Sequence, residues 1–346
     1  MSSYDRLSDL PLRIESYALD GLRLDVSTGF QRHTTLVRLR GAGEEGVGED
    51  VTYGMDEQLA FQQWAPERLP LAGEHTLDSF SRLLDDVELF PEPPAFAAWA
   101  HYRRWAIEGA ALDLALRQAG RSLADALGRE ARRVNYVVST RATDLGPLLD
   151  LYPSLRLKLD PTSEWTDELI AQLAALDRVE VCDLKGAYRG TAVDNPPDAA
   201  LYRRVAEGFP TAWIEDPALT DETDEVLRPH RDRITWDAII HSVADVDSLP
   251  FAPRTLNVKP SRFGTLRALL DFYDTCAERG IELYGGGQFE LGVGRGQIQY
   301  LASLFSAESP NDVSPTGFHA PTPQPGLPPS PLPPPGPEPG FRYDVA

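Results

Sequence analysis

Lysine is almost absent from the chain. Lys and Arg together number 33 in 346 residues, yet only Lys158, Lys185 and Lys259 are lysine. Arginine replaces lysine well as a surface cation but is not deprotonated in a protein. A lysine that is desolvated or crowded by other cations can release its proton near neutrality. Cysteine is scarce as well. Cys182 and Cys276 supply neither a disulfide framework nor a metal-ligand cluster, and they suit a reducing interior. Positive charge is short overall: the formal charge of −20 argues against nucleic acid or an acidic membrane surface as a partner. No basic cluster with interleaved aromatics offsets it. No apolar run approaches the roughly 18 residues of a membrane span, and no basic-then-apolar leader is present, so a cytoplasmic location is expected.

Against that background the stretch Ala212-Trp213-Ile214-Glu215-Asp216-Pro217 stands out. Apolar and aromatic residues run into two carboxylates and a proline stops the run, the pattern of a short buried strand whose end surfaces. Val179-Glu180-Val181-Cys182-Asp183 and Ile234-Thr235-Trp236-Asp237 repeat it, each closing on an acid. Leu155-Arg156-Leu157-Lys158 and Leu256-Asn257-Val258-Lys259 close on lysine instead. Five successive strand ends thus read Lys, Asp, Glu, Asp, Lys, spaced 25, 32, 22 and 22 residues apart. Each interval fits one strand-helix unit. In a parallel barrel all five side chains emerge at the face that carries the chemistry. Three acids between two lysines read as a metal site with a base on each side.

The rest of the chain supports an α/β protein with a separate leading unit. Alternating runs from Leu12 to Val26 and from Thr34 to Arg40 predict antiparallel strands joined by a turn at Ser27 to His33. A glycine-rich hairpin at Gly41 to Glu49 follows; it lacks the lysine of a phosphate loop. Helices are expected over 56–64, 77–84 and 95–118. From Val134 short strands and helices alternate through seven readable units, with an eighth strand expected near Asp312-Val313. Helices are expected over 164–176, 198–207 and 266–279. Gly285-Gly286-Gly287 allows close backbone approach after strand seven, with Glu290 on the loop beyond as a candidate substrate contact. The proline-dense segment 320–339 should be extended, as a strap returning to the first domain or as a tail.

These residues resemble the enolase superfamily, in particular its muconate-lactonizing-enzyme-like branch, which also holds o-succinylbenzoate synthases and dipeptide epimerases. The resemblance implies an α+β capping domain over residues 1–130, with 316–346 returning to it, and a modified TIM (β/α) barrel over 131–315. It implies that Asp183, Glu215 within Ile-Glu-Asp-Pro, and Asp237 bind Mg²⁺, with Mn²⁺ as a substitute. It places a base on Lys158, the second member of a lysine-x-lysine motif, and an opposed lysine at Lys259. Arg156 stands at the first member of that motif, Lys185 where the family often has asparagine, and Ala238 where it commonly has glutamate. Arg156, Lys185 and Glu290 are the expected substrate contacts, and specificity is expected in Ser27–His33, Asp50–Asp56 and the barrel loops.

The chemistry implied is removal of the proton next to a substrate carboxylate, with the enediolate stabilised by the metal. Two lysines on opposite faces give racemisation or epimerisation; one base facing a fixed ammonium gives cycloisomerisation or elimination. A small-molecule carboxylate is the expected partner, and a homo-oligomer is compatible with the sequence. Two other classes remain open at this stage: a binding barrel that has lost turnover, and a different metal-dependent barrel enzyme such as an aldolase or hydrolase.

Overall fold

The computed structural model describes the whole chain except residues 26–30, 67, 190, 192, 321 and 344–346. The N-terminal unit contains β1 (Pro11–Ile14), β2 (Ser16–Asp25), β3 (Gln31–Gly41), β4 (Glu44–Asp50), α1 (Met55–Trp64), β5 (Gly73–Thr76), α2 (Leu77–Leu83), α3 (Ala98–Gln118) and α4 (Leu123–Leu127). β2, β3 and β4 form an antiparallel sheet, with β1 and β5 paired beside it. The β3–β4 hairpin turns at Ala42 and Gly43, both at positive φ, the conformation that matches strand twist in a tight turn. Gly46 and Gly48 let β4 lie directly on α3. A Cβ at either would meet the carbonyl oxygen of Ala110 or Ala106 at 2.2 and 2.0 Å. The turn expected at Ser27 to His33 lies outside the described residues between 26 and 30; from Gln31 the chain is already strand.

The barrel follows with β6 (Val137–Thr140), α5 (Gly146–Leu151), β7 (Arg156–Leu159), α6 (Asp167–Ala175), β8 (Val179–Asp183), α7 (Ala199–Gly208), β9 (Trp213–Glu215), α8 (Asp221–Leu227), β10 (Ile234–Thr235), α9 (Val243–Asp247), β11 (Thr255–Val258), α10 (Leu266–Arg279), β12 (Glu282–Gly285) and α11 (Val293–Phe305). β6 to β10 are parallel neighbours in chain order, and β11 pairs with β12 in the same sense. The Asn257 amide donates to the Trp236 carbonyl at 3.0 Å, joining the two groups. Single-residue parallel bridges, Gly286 with Asp312 and Tyr136 with Asn311, close the ring. The eighth strand is therefore reduced to those two contacts, at the position the sequence indicated. Thr166, Thr220 and Thr265 cap α6, α8 and α10 through their side chains, which fixes where each helix starts.

The C-terminal segment crosses the barrel and then reaches the first unit. Leu332 bridges Val134 at the start of the barrel and Gly340 bridges Ser122, and buried Asp113 on α3 accepts from the Phe341 amide and the Arg342 guanidinium.

Buried acids are matched by buried cations at Asp50–Arg103, Glu215–Lys158 and Asp237–Arg262, so the net charge of −20 resides mainly in exposed carboxylates. Their mutual repulsion is relieved by screening. The unfolding temperature is expected to rise by about 5 °C or more between 0.1 and 2 M KCl, measured by scanning calorimetry. A flat or falling profile would contradict this.

Candidate active site

The parallel order of β7 to β11 delivers the strand-end side chains to one mouth of the barrel, where they interlock. Lys158 Nζ donates to Glu215 Oε1 at 2.6 Å and lies 3.2 Å from Asp183 Oδ2 and 3.5 Å from Asp312 Oδ2. Lys259 Nζ sits 2.8 Å from Asp237 Oδ2. Lys185 Nζ donates to Asp183 Oδ2. Asp183, Glu215 and Asp237 are fully buried. The structure therefore gathers Lys158, Lys259, Asp183, Glu215, Asp237 and Lys185, as their places on the strands implied.

Asp183, Glu215 and Asp216 each offer an oxygen, and the three oxygens lie within 4.8 Å of one another. Three converging buried carboxylates form the hard, anionic donor set that suits a divalent cation. Asp216 was not among the residues expected from the sequence. It holds a positive φ, and its two oxygens accept the amides of Asp237 and Ala238 at 2.8 and 2.9 Å. It thereby sets the end of the fifth barrel strand. Burial first, and then the charges of Asp237 and Asp183, push its carboxyl up to about 7.

Burial also works on the other groups, and their partners decide the outcome. For Lys158 it opposes the ammonium, but the charges of Glu215, Asp183 and Asp312 prevail and hold its pKa well above the ordinary lysine value. Asp237 is held well below the usual carboxylate range: burial resists ionisation, while Arg262, Lys259 and Lys158 enforce it.

Two expected contacts are placed elsewhere. Arg156 is turned away from the mouth: its guanidinium pairs with Glu180 and donates to the Asp177 carbonyl, and its side chain is 39% exposed. The register between β7 and β8 shifts between Leu157 and Lys158, and such an irregularity re-aims a side chain. Arg156 and Lys158 therefore share no partner among the described residues. Glu290 is buried, but it serves its own loop: Oε1 accepts the Gln288 amide at 2.6 Å and Oε2 lies 3.1 Å from Arg295.

Other residues of the site lie outside the pattern of charged strand ends. Arg262, buried beyond Lys259, bonds both the carboxylate and the carbonyl of Asp237. Tyr188 Oη donates to Asp237 Oδ2 at 2.8 Å, and Tyr284 Oη to Glu215 Oε2 at 2.5 Å. Tyr284 could have been suspected, since it lies two residues before Gly286 on a strand that ends at the same mouth. Tyr284→Phe removes the donor from a buried carboxylate oxygen, so a loss of about 1–3 kcal/mol is expected in urea denaturation. Unaltered stability would show that Glu215 does not depend on this bond.

His319 borders the site from the turn after the eighth strand, facing Arg295, Asp312 and Glu290. Burial, then Arg295, lowers its pKa to about 4. The unfolded chain takes up that proton near 6.5 and the folded chain only near 4. Stability is thus retained above 6.5 and lost as pH falls between those values, by at most about 1.4 kcal/mol per unit. His319→Phe is expected to flatten this loss relative to wild type in urea denaturation at pH 7 and pH 5.

Residues 5–126 match the domain of unknown function DUF8230, N-terminal domain, and residues 130–320 its C-terminal domain. The chain is 28% identical over 338 residues to an N-succinylamino acid racemase of Thermus thermophilus, covering 89% of this chain and 84% of that protein. Its fold matches an enolase-superfamily member of unknown function from Enterococcus faecalis, with a TM-score of 0.66 and 23% identity over 88% of this chain and 87% of that one. It also matches a dipeptide epimerase from Methylococcus capsulatus solved with a Mg ion, with a TM-score of 0.64 and 20% identity over 91% and 89% of the two chains. The chain thus shares the fold of enolase-superfamily structures.

Proposed function

The chain belongs to the DUF8230 family, and we propose that it is a Mg²⁺-dependent isomerase or lyase that removes the proton next to a substrate carboxylate. One observation carries the proposal: three buried strand-end acids lie between two lysines, each of which contacts an acid. Asp183 and Glu215 would hold the ion. Asp216 converges with them, but both its oxygens accept the Asp237 and Ala238 amides, so Asp237, now held by Arg262, Lys259 and Tyr188, would complete the set. The bound ion would neutralise charge developing on the substrate carboxylate and relieve the lysines of their carboxylate partners.

Lys158 then takes the proton from one face. Lys259, across the site beside Asp237, returns it from the other or stands as a fixed ammonium. Tyr284 and Tyr188 hold Glu215 and Asp237 in place through the cycle. Arg262, which cannot lose its proton, keeps Asp237 ionised while Lys259 changes state. The relative that racemises N-succinylamino acids makes N-acylamino acids the first carboxylates to screen, together with dianionic substrates for which Lys185 would supply a second cation.

Mn²⁺ titration followed by EPR tests the metal site. Saturation near one ion per chain in wild type, lost in Glu215→Ala, is expected, followed by deuterium uptake at the carbon next to the carboxylate. Absence of a saturable site in wild type with carboxylates present would sink the proposal and favour a barrel that binds without turnover.

A further inference from the structure

Lys185 differs from Lys158 in having somewhere to go. Lys158 is enclosed by Glu215, Asp183 and Asp312. Lys185 sits at positive φ, reaches back to the carboxylate two residues before it, and is 5.2 Å from the centre of the Tyr188 ring. It also lines a cavity of about 440 Å³ with Arg141, Asp160, Trp165 and Asn195. Asp160 Oδ1, on that cavity, is buried without a hydrogen-bond partner among the described residues and lies 3.8 Å from Lys185 Nζ. Its other oxygen is taken by Arg141 at 3.1 Å. A buried acceptor is costly when unpaired, and the Lys185 ammonium lies just beyond bonding distance of it.

We propose that Lys185 is a tethered cation that competes with the divalent ion for Asp183 and steps across to Asp160 when the ion binds. The inference rests on the metal site proposed above. An ammonium and a divalent ion on one carboxylate repel strongly at low dielectric, so one of them must leave. The move needs only a change of side-chain torsions, because donor and second acceptor are already adjacent. Asp160 thus has a task that the proton transfer does not give it: it receives the displaced lysine. The consequence is a site whose affinity for metal is held down by the chain itself.

The test is Mn²⁺ affinity by EPR in wild type, Lys185→Gln, Asp160→Asn and the double variant, with folding checked by circular dichroism. Lys185→Gln should bind about tenfold or more tightly than wild type. Asp160→Asn should bind about threefold more weakly in the wild-type background and be without effect beside Lys185→Gln, since no lysine then needs a second seat. Equal affinity of Lys185→Gln and wild type, or equal loosening by Asp160→Asn in both backgrounds, would overturn the inference while leaving the metal site intact. If Lys185→Gln fails to fold, the direction of the Asp160→Asn effect decides: unchanged or tighter binding overturns the inference. No saturable site in any variant would overturn the metal proposal itself.

Discussion

Lys158→Met is expected to reduce turnover by about 10³-fold, the scale of a lost general base. It is also expected to destabilise the metal-free chain by about 3–5 kcal/mol, the cost of leaving a buried ion pair half made. Both follow from one ammonium that contacts Glu215 and Asp183 with almost no exposure to water. The two effects separate in Lys158→Arg. Arginine retains the charge and should recover much of the stability, but it cannot accept a proton, so exchange of the substrate hydrogen should remain lost. Saturating Mn²⁺ should narrow the stability gap of Lys158→Met, because the acids regain a cation, without restoring exchange. Urea denaturation with and without Mn²⁺, alongside deuterium exchange, reads all three. Exchange by Lys158→Arg within tenfold of wild type would show that Lys158 is a scaffold and not the base.

The part of the site legible in the sequence is the part carried by strand ends. A short apolar run closing on one charged residue is a local pattern, and parallel order turns five such patterns into one cluster without further information. The lysine shortage added an independent pointer to Lys158, Lys185 and Lys259. The rest depends on contacts between distant segments. Arg262 reaches Asp237 across 25 residues and Tyr284 reaches Glu215 across 69, and nothing around either residue announces the partner. Asp216 follows Glu215 directly in the chain, and its left-handed backbone accompanies an oxygen placed in the same group. Arg156 illustrates the opposite limit. Its two-residue spacing from Lys158 implied a shared face, and one irregularity in register cancelled the implication. The eighth strand was legible only weakly because its contacts amount to two bridges.

Arg32→Met is expected to cost about 3–5 kcal/mol and to raise KM for the substrate. Arg32 is fully buried, yet among the described residues its guanidinium bonds no carboxylate. It donates to the carbonyls of Val51 and Thr52 on the N-terminal unit at 2.7 and 2.9 Å, and to those of Gln288 and Phe289 on the barrel at 2.9 and 3.1 Å. Tyr53 stacks on it at 4.3 Å, and Phe289 takes a positive φ to present its carbonyl. One planar fork therefore ties the 50–56 segment, where substrate specificity was expected, to the loop after the seventh barrel strand. Methionine fills part of the volume but leaves four carbonyl acceptors, three of them on buried residues, without this donor. Lysine offers three donors from a single point and cannot span carbonyls arranged around a plane, so Arg32→Lys should rescue little. Stability by urea denaturation and the division of the kinetic loss between kcat and KM check this together. If Arg32 only fills space, Arg32→Met will stay within about 1 kcal/mol of wild type. If it docks the specificity segment on the barrel, KM will rise more than kcat falls, because the base and the acids at the strand ends are untouched.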